Sequence, residues 1–150
     1  RLSELVQMKR RIETERVLPQ HLWRNVKLGH GGLSDIEWLV HLLEMRYPTA
    51  SRAAEAGTLE ERLRRLARAN LINTLEADAL VDARAHLSKV RAWVWLLGYE
   101  VDVLPENPDK LDRLARSIAL ADGNSLLSHH TGVTQRVRTM FSETLERLRA

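Results

Sequence analysis

The chain has 150 residues, no cysteine and a net charge of +3 from 23 basic and 20 acidic side chains. That length suits one domain with a sizeable core, and the missing cysteines exclude disulfides and thiolate zinc sites. No apolar run approaches the roughly 20 residues of a membrane span, no signal peptide opens the chain, and interleaved charges argue against a nucleic-acid surface.

Hydrophobic residues make up 44% of the chain, with only seven glycines and four prolines, so an ordered, helical chain is expected. It starts at Arg1 without a methionine, which we read as a piece of a longer protein. Leu2–Arg16 is predicted as a helix. Leu5, Met8 and Ile12 share one face, while Lys9, Arg10, Arg11, Glu13 and Glu15 lie mostly on a solvated one. Pro19 limits it. Residues 1–24 are expected to be a linker helix and 25–150 a helical bundle.

Asn25–Gly32 is predicted as loop. Its core, Lys27-Leu28-Gly29-His30-Gly31-Gly32, runs straight into a helix start. Three glycines in four positions permit close backbone approach. Ser34 and Glu37 fit a capping box, with the Ser34 oxygen accepting from the Glu37 N–H and the Glu37 carboxylate accepting from the Ser34 N–H. The second helix runs from Ser34 to about Tyr47, with Ile36, Leu39, Val40, Leu43 and Tyr47 on its apolar face, and stops at Pro48.

Residues 49–57 are small and polar, a loop or a weak turn. Thr58-Leu59-Glu60-Glu61 fits a second capping box; Leu59, Leu63 and Leu66 follow on one face, and Asn70 marks the end. Asn73 or Thr74 then caps the longest helix, expected to reach Leu97, with Leu80, Ala83, Leu87, Val90, Val94 and Leu97 as its stripe and Gly98 as its stop. Asn107 before Pro108 is a strong start signal for a helix carrying Leu111, Leu114 and Ile118. Asp122-Gly123-Asn124 breaks it, and the last helix runs from about Ser125 to Arg149, weakened at Gly132. The fold expected is all-α: an antiparallel bundle of about six helices with a four- or five-helix core.

Lys27-Leu28-Gly29-x-Gly31-Gly32-Leu33-x-Asp35-Ile36-Glu37-Trp38 resembles the K-L-G-x-G-G-[IL]-R-[DE]-[IV]-E-[FW] signature of glutamine synthetase adenylyltransferases and, more distantly, the corresponding segment of PII-uridylyltransferases. Val103-Leu104-Pro105-Glu106-Asn107-Pro108 is similar to that family's T-x-x-L-P-x-D-P segment. Ser34 stands where the family has Arg, His30 where it has Pro or Arg, and the run around Arg91 departs from its Arg-x-x-E-[HN]-R-L pattern. The resemblance implies a parent that uses ATP and Mg2+ to transfer AMP to a tyrosine of glutamine synthetase, or removes it, in the cytoplasm and under the control of PII. In that family the signature follows a nucleotidyltransferase domain, so residues 1–24 would lead from a missing catalytic domain. The Trp38 variant, the Thr58-Leu59-Glu60 segment and the end of the chain after its last helix favour the adenylylating half. A stand-alone helical interaction module is the alternative reading, and RNA binding a weaker third.

No catalytic residue and no metal ligand is expected here. Two-metal nucleotidyl transfer needs carboxylates holding ions about 4 Å apart, and the family's G-[GS] and D-x-D motifs are missing. Asp35 and Glu37, two apart on a helix, point about 200° from each other. The adjacent His129 and His130 diverge by about 100° and read as surface or interface residues. One of Trp93 and Trp95 should face the core and the other its flank, and Arg62, Arg64, Arg65 and Arg68 read as a solvated surface. The best candidate site is Lys27 with Gly29, Gly31 and Gly32. Backbone N–H groups, a cation and a helix N-terminus together suit an anion, so these residues are expected to meet a nucleotide phosphate or the neighbouring catalytic domain. The other reading is a tight structural turn.

Overall fold

A computed structural model describes residues Arg1–Ala150. It contains six α-helices: α1 (Leu2–Arg16), α2 (Leu33–Arg46), α3 (Leu59–Arg68), α4 (Thr74–Leu96), α5 (Pro108–Ser117) and α6 (Gly123–Arg149). A short 3-10 turn covers Pro19–His21, and one isolated antiparallel bridge joins Asn25 to Val103. The expected all-α architecture is present. No helix is long and apolar enough to cross a membrane.

Helices α2 to α6 enclose the core. α6 packs on α2, α4 and α5, and α4 packs on α2, α3 and α5. Ile36, Leu39, Leu63, Leu66, Leu80, Leu87, Leu114 and Leu126 are essentially inaccessible to solvent. Each contributes roughly 1.5–3 kcal/mol of apolar burial. The stripe read on α4 is buried from Leu80 to Val94. Trp93 is half-buried and Trp95 projects outward, 69% exposed.

The helix ends show why local signals worked in most places. Asn73 and Glu76 make a complete capping box on α4, and Gly98 closes its far end at φ 73°, with the Tyr99 N–H donating to the Val94 carbonyl. Asn107 Oδ1 accepts from the Asp109 and Lys110 N–H groups ahead of α5. Thr58 makes half of its expected box: its oxygen accepts from the Glu61 N–H at 3.1 Å, while the Glu61 carboxylate faces the Thr58 hydroxyl instead of its backbone. α6 starts two residues early, at Gly123, because Asp112 Oδ1 accepts from the Gly123 N–H and Asp122 Oδ1 accepts from the Ser125 N–H.

Two expected solvated faces are corrected. On α1 the buried positions are Val6, Lys9 and Glu13, while Met8 is exposed; the helix is rotated so that charged side chains point inward. On α3 the correction concerns Arg65, which is buried; Arg68 is exposed as expected, and Arg62 and Arg64 are partly exposed but paired. Arg62 pairs with Glu44 of α2, Arg64 with Asp78 of α4, and Arg65, 6% exposed, with Glu55 and the carbonyls of Glu55 and Ala56. The fan joins α3 to three different parts of the chain, which spacing on one helix cannot reveal.

Candidate functional site

The loop from Asn25 to Gly32 is closed by its own backbone. Asn25 Oδ1 accepts from the N–H groups of Lys27 (3.0 Å) and Leu28 (2.8 Å), an Asx turn. The Gly29 N–H donates to the Asn25 carbonyl, that of His30 to Leu22, and that of Gly32 to Gly29. The Gly31 N–H donates to Asp35 Oδ2 at 2.6 Å. The first helical N–H groups, of Leu33 and Ser34, donate to the carbonyls of Val26 and Lys27. Every amide from Lys27 to Ser34 therefore has a partner inside the chain, and none is left for an anion. The glycines serve the chain's own close packing. A Cβ on Gly31, at φ 71°, would sit 1.9 Å from the Thr134 carbonyl oxygen on α6, and one on Gly29 would sit 2.4 Å from the Asn25 carbonyl oxygen. Gly32 is buried and is the N-cap of α2. Lys27 is exposed; it alone of the four expected site residues presents a charge to solvent.

The capping box expected from Ser34 and Glu37 does not form. α2 begins at Leu33 with Gly32 as N-cap and no side-chain cap bond. Ser34 lies inside the first turn, and Glu37 is exposed. The physical reason is that the loop carbonyls of Val26 and Lys27 already take the first helical N–H groups, so the orphan donors that a box satisfies are not orphaned.

Asp35 takes over the end of α2 and does more. It is fully buried, on the opposite side of the helix from exposed Glu37. Besides Gly31, its carboxylate accepts from Lys9 Nζ at 2.5 Å and from Arg138 Nη1 at 3.2 Å. Glu13 Oε1 accepts from the same two cations, both at 2.8 Å. Phe141 closes the cluster, with Lys9 Nζ 4.8 Å from its ring centre. Two buried acids and two cations thus balance, joining α1, the glycine loop, α2 and α6. Burial alone would raise the Glu13 pKa, but the hydrogen bonds from Arg138 and Lys9 outweigh it and hold the pKa below its ordinary value. His30, 3.8 Å from Glu13, is held below its ordinary value by burial and by the charge of Arg138. Sequence reasoning missed this cluster. The one available signal was the i,i+4 spacing of Lys9 and Glu13 beside a helix-opening aspartate, and a solvated face has the same spacing.

A second buried cluster corrects the reading of His130, while His129 is exposed as expected. His130 is only 2% exposed, and His86 of α4 contacts both histidines. His86 Nε2 and His130 Nδ1 are 3.1 Å apart, a hydrogen bond in which one imidazole donates to the other, and His130 Nε2 is buried without a partner. Burial first, and then the neighbouring imidazoles, push His86 down to about 4 and His130 down to about 3. Both are neutral in the fold, whereas the unfolded chain takes up protons near pH 6.5. Their contribution is therefore complete above pH 6.5 and is lost as pH falls toward about 4 and below. Replacing His86 by Gln removes one such group, so its urea midpoint should fall less steeply with acidification than the wild type's. Parallel profiles would show that the pair does not titrate in unfolding.

The side chains include no group of three or more His, Asp or Glu arranged to hold a metal ion.

Comparison with known proteins adds the following. Residues 1–145 match the family described as GlnD PII-uridylyltransferase. The chain is similar to the bifunctional glutamine synthetase adenylyltransferase/adenylyl-removing enzyme of Mycobacterium leprae, with 35% identity over 143 residues, covering 92% of this chain and 14% of the relative. The enzymes of the same name from Mycolicibacterium smegmatis and Leifsonia xyli are 31% and 32% identical, each over 93% of this chain and 14% of the relative. The chain thus spans about a seventh of the length of the curated relatives it matches.

Proposed function

Because the chain belongs to the GlnD PII-uridylyltransferase family, we propose that it is the helical-bundle domain of a glutamine synthetase adenylyltransferase or adenylyl-removing enzyme. In this reading the parent transfers AMP from ATP to a tyrosine of glutamine synthetase, or removes it, in the cytoplasm and under the control of PII. Catalysis and Mg2+ are assigned to a nucleotidyltransferase domain elsewhere in the parent. The bundle braces that domain, lines one side of its cleft and helps present the protein substrate. The observation that carries the reading is the match itself: it takes in nearly all of this chain and a small share of each bifunctional enzyme.

Lys27 is given the outward role. Its ammonium stands at the edge of a loop made rigid by internal hydrogen bonds, and the structure provides it no acidic partner. We assign it a contact with a substrate phosphate or with the neighbouring domain. Lys27→Ala should leave the stability of the 150-residue chain within about 0.5 kcal/mol and lower AMP transfer by the full-length parent. The check is transfer of labelled AMP from ATP to glutamine synthetase by the parent, its Lys27 variant and the isolated chain. Unchanged transfer by the variant would remove Lys27 from the site. Labelling by the isolated chain at the parent's rate would overturn the domain assignment.

A further inference from the structure

The largest cavity opens beside the glycine loop, at the N-terminus of α2. It is a groove of about 530 Å3 whose lining includes Leu33, Ser88, Arg91, Trp95, Val101 and Asp102. Its size is in the range of about 300–1,000 Å3 typical of small-ligand sites. Three of its surfaces are apolar yet open to solvent: Trp95 is 69%, Leu96 61% and Val101 60% exposed. A large aromatic so exposed at the end of a helix contributes little to the core; it offers a flat face to a ligand.

The polar part of the groove is held in place. Asp102 sits in the left-handed region at φ 64°, and its carbonyl accepts from the Val26 N–H at 2.8 Å, so it moves with the loop. Its carboxylate accepts from Arg91 Nε at 2.6 Å. That single bond orients the guanidinium and leaves both Nη groups without a partner in the chain, free for a bidentate acceptor. The Ser88 hydroxyl, one helical turn before Arg91, adds a donor and acceptor on the same wall.

We propose that this groove binds a purine nucleotide, with the base stacked on the Trp95 indole and a phosphate on the Nη groups of Arg91. An open indole supplies stacking without sequence of contacts to match, and an oriented, half-satisfied arginine supplies the phosphate contact. The choice of a nucleotide over another planar anion rests on the reading of the chain as part of an adenylyl-transferring enzyme. Under the proposal the bundle does more than brace its neighbour: it provides one wall of the nucleotide site, next to the glycine loop.

The test is a nuclear magnetic resonance titration of the 150-residue chain with AMP, adenosine and inorganic phosphate in separate experiments. The Trp95 indole and Arg91 Nε signals are assigned with Trp95→Leu and Arg91→Gln, both partly exposed positions where folding is retained. AMP should move both signals saturably. Adenosine should move Trp95 alone, with weaker affinity, and Arg91→Gln should weaken AMP by about tenfold without changing adenosine. A Trp95 signal unmoved by about 10 mM AMP would overturn the proposal. So would equal binding of AMP and adenosine by the wild type, or a response to phosphate as large as that to AMP, which would leave an anion contact without a base site. No catalytic turnover enters the titration. Its failure therefore leaves the domain assignment to be judged by AMP transfer in the parent.

Discussion

Asp35→Asn is expected to destabilise the chain by about 3–5 kcal/mol, a large part of the 5–15 kcal/mol that holds a domain of this size. Asn keeps the shape of the side chain but removes the charge. Lys9 and Arg138 would then share only Glu13, and a cation would stay buried without its counter-charge. One amide also cannot accept from Gly31, Lys9 and Arg138 as a carboxylate does. The penalty comes from the stranded cation, so it should shrink when the cation is removed as well. Lys9→Met in the Asp35→Asn background should cost less than the sum of the two single changes, a coupling that a double-mutant cycle in urea measures. Glu37→Gln, on the exposed side of the same helix, serves as the control and should stay within about 0.5 kcal/mol. If Asp35→Asn behaves like Glu37→Gln, the cluster does not hold α1 to the bundle.

Gly31→Ala should cost about 3 kcal/mol or more, from two sources. A side chain in the left-handed region costs about 1–3 kcal/mol, and overpacking a close contact costs about as much again. Here the contact is with backbone: the new methyl would lie 1.9 Å from the Thr134 carbonyl oxygen. The loop would have to lift from α6, which would also pull the Gly31 N–H off Asp35. Gly132, on the helix that Gly31 packs against, gives the comparison, since a Cβ there meets nothing within 4 Å. Gly132→Ala should stabilise by about 0.5–1 kcal/mol, as in any helix interior. Urea midpoints of the two variants should thus move in opposite directions. A Gly31→Ala midpoint at or above the wild type's would mean that the loop does not approach α6 as described.

The two changes bear on how the signature is read. Lys-Leu-Gly-x-Gly-Gly ahead of a helix has the composition of an anion loop, and composition cannot say where the N–H groups point. In the fold they point into the chain. Gly31 is there because α6 passes within contact distance, Gly29 and Gly32 because the loop's own carbonyls of Leu22, Asn25 and Val26 crowd them, and the signature aspartate because α1 and α6 each bring a cation. What is left facing outward is Lys27 and, beside the loop, the groove of Arg91 and Trp95.

The sequence by itself determined whatever depends on neighbours a few residues apart. The six helices, the stripe of α4 from Leu80 to Val94, the caps at Asn73 and Asn107 and the stop at Gly98 follow from 3.6-residue periodicity and from backbone donors seeking acceptors within one turn. Only the tertiary structure decided what depends on partners far away in the chain. Lys9 meets Asp35 across 26 residues, Arg138 meets Glu13 across 125, and His86 meets His130 across 44. A charged or imidazole side chain on a helix carries no local mark of burial, because the counter-charge that permits it comes from another helix. The same limit explains Ser34 and Glu37: their pattern is that of a capping box, but carbonyls of a folded loop had already taken the donors.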